Sequence, residues 1–199
     1  LKVELFASAP LFENPVAFSV DERGRVFIAE SHRWKDSIFD ITRETNWLLN
    51  DLSFRTVEDR AAFLQKEFAT NINFLTKDSE LIRLVEDRDG DGRAETSSIF
   101  ADGFNQTLSG VAAGILARHG DVWFTCIPDL WKFTKGDSQT SEPDSNARKS
   151  KIVNRKLLAT GFGVHIGVSG HDLHGLAMGP DGKIYFSSGD RGFAVHTEE

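Results

Sequence analysis

The chain has 199 residues, 40% of them apolar, and a formal net charge of −7. That composition fits a folded domain rather than wholesale disorder, and an acidic excess with no basic arm argues against non-specific nucleic-acid binding. No apolar run approaches the ~18 residues of a membrane helix, and the single cysteine, Cys126, cannot form an internal disulfide.

In chain order, the first pattern is PVAFSVDERGRVFIAES, residues 15–31. A small or apolar strand, a polar turn with Gly24 and a second strand rich in Val, Ile and Phe read as a β-hairpin. The pattern returns in residues 110–133, with a turn at His119-Gly120-Asp121, and in residues 175–192, with a turn at Asp181-Gly182. The glycines supply the positive φ that tight turns need. The strand after each turn is almost continuously apolar, which predicts burial on both faces.

Between the first two hairpins lies a long insertion, from about residue 32 to 76. ITRETNWLLN suggests a helix near residues 40–50. Thr56 followed by Asp59 has the form of a helix N-cap with an acid at the third position. Val57, Ala61, Leu64 and Phe68 then recur at helical spacing, predicting a helix at about 57–69. The flanks of EDRDGDGRAE, residues 86–95, read as strands. Residues 134–151 are polar and rich in breakers, and read as an exposed connection.

A repeated buried hairpin is the signature of a propeller blade, and a plain blade takes ~40–45 residues. The expected fold is therefore all-β: a β-propeller with helical insertions, truncated to about three blades. Residues 1–199 form the N-terminal part of one such domain. The chain begins at Leu1 without a signal peptide and reads as processed or as a piece of something longer.

Two groups of residues carry chemistry. Asp87, Asp89 and Asp91 alternate ahead of Gly92, and Glu95 follows. Alternating carboxylates on a tight turn suit a hard cation such as calcium. The twelfth position is Ser98 and the flanks are strands, so the loop is not an EF-hand; a solvated acidic turn is the alternative. The second group brackets the third hairpin. His171 and His174 precede its first strand and Asp190 follows its second. Antiparallel pairing brings those ends together, so His171 and Asp190 should meet. Imidazole can take a proton from an alcohol, and a carboxylate on its other nitrogen orients the ring. Arg191 could steady an anion. Alternatives are a turn Asp with a histidine bonded to a backbone carbonyl, or a metal site from His171, Asp172 and His174 with His165 as an extra ligand. The latter spacing matches no standard zinc pattern.

HDLHGLAMGPDGKIYFSSGDRG, residues 171–192, resembles a segment of soluble quinoprotein glucose/sorbosone dehydrogenases. Those are six-bladed propellers that use pyrroloquinoline quinone and calcium. His171, Leu176, Gly179-Pro180-Asp181-Gly182 and Gly189-Asp190 match in order. The register puts His171 on that family's catalytic base and Asp190 on its supporting acid; His174 is a departure. More widely, NPVAFSVDERGRVFIAES, TVEDRAAFLQKEF, EDRDGDGRAETSSIFADG and SGHDLHGL with GDRGF are similar to the N-terminal propeller of large membrane-bound dehydrogenases of planctomycetes and verrucomicrobia, which often carry a cytochrome c module.

The resemblance implies an extracytoplasmic, periplasmic oxidoreductase that acts on a sugar or other alcohol. His171 would remove the hydroxyl proton, supported by Asp190, while hydride passes to the quinone. Arg191 and His174 are the nearby cofactor-side candidates, and a cytochrome c the electron acceptor. The quinone's main arginine and lysine groups would lie further along such a chain. Fold alone does not fix function. The alternatives are a non-catalytic propeller that binds glycans or protein partners, and a metal-dependent lactonase-type propeller.

Overall fold

The three hairpins form, and they belong to larger antiparallel sheets. A computed structural model of the chain describes residues 1–34, 36–134 and 154–197. Strands β1 (Pro15–Val20), β2 (Val26–Glu30), β3 (Glu80–Glu86) and β4 (Thr96–Phe104) make one up-and-down sheet in that order. Strands β5 (Ala112–Arg118), β6 (Asp121–Cys126), β7 (Asp129–Thr134) and β8 (Asn154–Phe162) make a second. Strands β9 (Leu173–Met178) and β10 (Ile184–Ser188) pair with each other. Strand β11 (Phe193–Thr197) returns to the outer edge of β8. None of these sheets closes on itself, and the all-β expectation holds at that level.

The turns use the predicted glycines, with Gly24, Gly120 and Gly182 at φ of 75°, 83° and 76°. The first strands of the three sheets are neighbours: β5 packs against both β1 and β9. Between the first two sheets lies the main core. Phe27, Ile82 and Phe104 from one sheet meet Ile115, Phe124 and Phe133 from the other. Phe104 and Phe124 are tilted rings with centroids 4.6 Å apart, a geometry that adds to area burial.

The strand after the turn is buried in the first two hairpins and exposed in the third. Tyr185 and Phe186 of β10 are 55% and 42% exposed. β9 packs on β5, whereas β10 stays largely exposed, with Phe186 meeting Phe162 of β8 edge to face. Apolar continuity therefore marks a strand that can be covered, without showing that it is.

Between β2 and β3 the chain leaves the sheets. The helix at 57–69 is present as α2 (Val57–Phe68), and Thr56 caps it through a reciprocal capping box with Asp59. The helix near 40–50 is shorter than its apolar pattern suggests. It is a 3₁₀ turn at Thr45–Trp47 running into a single turn, α1 (Leu48–Asp51). Trp47, Phe54 and Val57 pack with Val164 and Ile166. This aromatic seam fixes the insertion to the segment leading into β9. Residues 135–151 of the polar connection lie outside the described residues. Among the described residues no helix is long and apolar enough to cross a membrane.

Candidate functional site

Antiparallel pairing of β9 and β10 does bring the bracketing residues together. His171 Nδ1 lies 3.3 Å from Asp190 Oδ1, and both side chains are about half exposed. With Nδ1 turned to the carboxylate, Nε2 is the nitrogen left to face a ligand. The same Asp190 oxygen sits 3.4 Å from the Val168 amide, which donates to it.

This meeting depends on a close backbone approach at Gly189. A Cβ there would lie 2.5 Å from the His171 carbonyl oxygen and 2.8 Å from its Cβ. Gly189 N–H also donates to the Asp172 carbonyl at 3.1 Å. Glycine is required here for space, whereas in the Gly182 turn it is required for its positive φ with nothing within 4 Å.

Side chains alternate along this segment. His171 faces outward and Asp172 inward, where it is 1% exposed. Asp172 Oδ2 accepts the Val111 N–H at 2.7 Å. Its Oδ1 is 2.8 Å from Arg191 Nε. That contact is an ion pair by distance but lies off the N–H axis, because Asp172 Oδ1 has no aligned donor; Arg191 Nε–H is directed to the Val168 carbonyl at 3.4 Å. Arg191 Nη2 donates to the Phe39 carbonyl. The guanidinium is thus buried and committed, not presented to a ligand beside Asp190. His174 is committed too. Its Nε2 is 2.6 Å from the Gly170 carbonyl and its Nδ1 3.3 Å from the Ala113 carbonyl; a neutral ring has one N–H to donate, and the shorter contact ties β9 to the His171 loop.

A cleft of about 490 Å³ opens at the same end of the sheets. Its walls include Asn14, His32, Trp34, Asp36, Gly170 and His174. The Trp34 indole lies against Gly170, next to His171, and remains 43% exposed. His32 and Trp34 escaped the sequence reading because they lie 137 or more positions before His171 and belong to no motif. The usable signal was the acid that ends an apolar strand, Glu30 in VFIAE.

Two buried glutamates hold that wall. Glu30 is paired with Arg83 at 2.9 and 3.0 Å and sits 3.1 Å from His32 Nε2. Glu80 accepts from Ser31 Oγ and from the His32 and Arg33 amides at one oxygen, and from the Ala112 amide at the other. Burial pushes its carboxyl above the ordinary value, and the four donors oppose that shift. Asp40 fastens the loop before His171 through the Ser169 hydroxyl at 2.8 Å. The Thr42 hydroxyl, with Ser169, holds Asp40 well below the usual carboxylate range.

The acidic loop lies elsewhere. β3 starts at Glu80 beside the cleft and runs seven residues away from it, about 20 Å at ~3.3 Å per residue. Asp87, Asp89 and Glu95 bring carboxylate oxygens within 4.8 Å of one another, and Asp91 stands outside that group. The Gly92 and Gly90 amides bond Asp87 and lower its pKa. These three residues could hold a hard cation, far from His171. His165, the suggested extra metal ligand, instead faces the Asp51 carbonyl at 2.8 Å. Cys126 is buried, and desolvation raises its thiol well above the ordinary value, so it is an unreactive core group.

Searches of curated proteins and of solved structures found no match to this chain. One family pattern matches, over residues 1–199. The chain belongs to the DUF7133 family, a domain of unknown function.

Proposed function

We propose that the chain is part of a β-propeller oxidoreductase of the quinoprotein type, acting on a sugar or related alcohol at the cleft beside His171. The propeller reading is supported by successive up-and-down sheets whose first strands, β1, β5 and β9, adjoin. The chemical reading rests on one observation: His171 and Asp190, 19 positions apart, meet at 3.3 Å next to an open cleft. In this reading His171 Nε2 accepts the proton of a ligand hydroxyl. Asp190 orients the ring and stabilises the imidazolium that results. The exposed face of Trp34 packs on the apolar face of the sugar.

Pyrroloquinoline quinone would supply the hydride acceptor, but its carboxylates call for cations. The described cleft residues offer imidazoles, an amide and the Asp36 carboxylate, while Arg191 is spent on Asp172. These residues do not fit the quinone, and the groups that would hold it are not among them. Resemblance alone favours an extracytoplasmic location and a cytochrome c partner. The same lack of described cations, with exposed Trp34, favours a second reading, a glycan-binding propeller without catalysis.

The test is oxidation of a sugar and alcohol panel by the full-length protein, with quinone, calcium and an artificial electron acceptor, alongside sugar binding by calorimetry. His171→Ala should cut turnover by about 10²–10⁴ and leave sugar binding in place. Binding without turnover would give the second reading the lead. Turnover unaffected by His171→Ala would overturn the first.

A further inference from the structure

A second, much smaller space lies under the insertion. It is a cavity of about 20 Å³ between α2, the segment after β4 and the loop carrying Arg191, room for one water-sized particle. Arg60 of α2 lines it and is 4% exposed. Arg60 Nη2 donates to the Leu108 carbonyl at 3.0 Å. Its Nε, also buried, has no partner among the described residues. A buried guanidinium with an unused donor is costly unless something compensates it.

The surroundings are rich in donors. Arg191 lines the same cavity. Ser37 Oγ accepts from Arg33 Nε and Ser109 Oγ from the Gln106 amide, and with Thr107 each lining hydroxyl has a proton it can give. The lining carbonyls of Phe39 and Leu108 receive Arg191 Nη2 and Arg60 Nη2. The nearest carboxylates lie outside the lining: Asp172 accepts from Val111 and faces Arg191, its Oδ1 having no aligned donor, and Asp51 accepts from the Ile166 amide at 2.6 Å. Among the described residues no carboxylate lines the cavity. A water there could bond Arg60 Nε but would bring it no counter-charge. A particle that only accepts, and carries negative charge, matches both the unused donor and the charge of Arg60.

We propose that this cavity binds a halide-sized monovalent anion, such as chloride, against the Arg60 guanidinium, in a lining that Arg191 shares. Bound there, the anion ties the helical insertion to the loop that carries Asp190. Burial, which otherwise pushes Arg60 down to about 9, is then offset by a counter-charge.

The test is the melting temperature of the full chain at constant ionic strength in sodium chloride, bromide or gluconate; gluconate is too large for the cavity. At ten times the dissociation constant, chloride and bromide should raise Tm by about 3–6 °C over gluconate, and Arg60→Met should abolish the difference. Equal melting in all three salts, or an undiminished halide effect in Arg60→Met, would overturn the site. If Arg60→Met does not fold, the wild-type protein decides alone. Excess ³⁵Cl NMR line width that bromide displaces supports the site, and no excess width refutes it, leaving a water in the cavity.

Discussion

Gly189→Ala is the substitution that joins fold to site most directly. The added Cβ would meet the His171 carbonyl oxygen at 2.5 Å and the His171 Cβ at 2.8 Å. The first is backbone and cannot swing away, so the β9 and β10 ends must part. Overpacking of this kind costs about 1–3 kcal/mol. Parting the strands also weakens the Gly189 N–H bond to the Asp172 carbonyl, about 1 kcal/mol more. The sum, about 3 kcal/mol, corresponds to a fall in Tm of about 6–12 °C for a chain of this size. Thermal and urea unfolding followed by the fluorescence of the four tryptophans reads this directly. Gly182→Ala is the internal control, with open space and only positive φ to oppose it, about 1 kcal/mol. If the two variants melt together, the close approach at Gly189 is not what holds His171 beside Asp190, and the reasoning fails.

Glu80→Gln keeps shape but presents an amide donor to one of four donors, and should destabilise the fold by about 2–4 kcal/mol in urea titrations. Because burial raises the Glu80 carboxyl above 4.5, the folded state binds its proton more tightly than the unfolded chain. Stability from this group therefore falls as pH rises from 4.5 through the folded value, and Glu80→Gln should remove that slope from a pH series of unfolding curves. Thr56→Ala deletes the α2 cap and should cost about 1 kcal/mol, seen as a lower urea midpoint with an unchanged m-value. If the Asp87, Asp89 and Glu95 loop takes calcium, millimolar calcium should raise Tm over EGTA, and Asp87→Asn should lose the rise; no difference between calcium and EGTA removes calcium from this loop.

Local pattern carried the three hairpins and their turns, the strands flanking the acidic loop, α2 with its cap, and the meeting of His171 with Asp190. Each rests on interactions between near neighbours or on hairpin pairing: positive φ at Gly24, Gly120 and Gly182, the Thr56–Asp59 capping box, and two chain segments joined by one tight turn. The tertiary structure decided what required distant chain segments. It turned Arg191 inward onto Asp172, faced both His174 nitrogens toward carbonyls, and left Asp91 outside the acidic group. It brought His32 and Trp34 to the His171 loop through Glu30 and Glu80, buried acids whose partners lie up to 53 positions away. It also left β10 largely exposed despite its apolar run. Burial and charge pairing depend on what packs from elsewhere in the chain, and a local pattern holds no record of that neighbour.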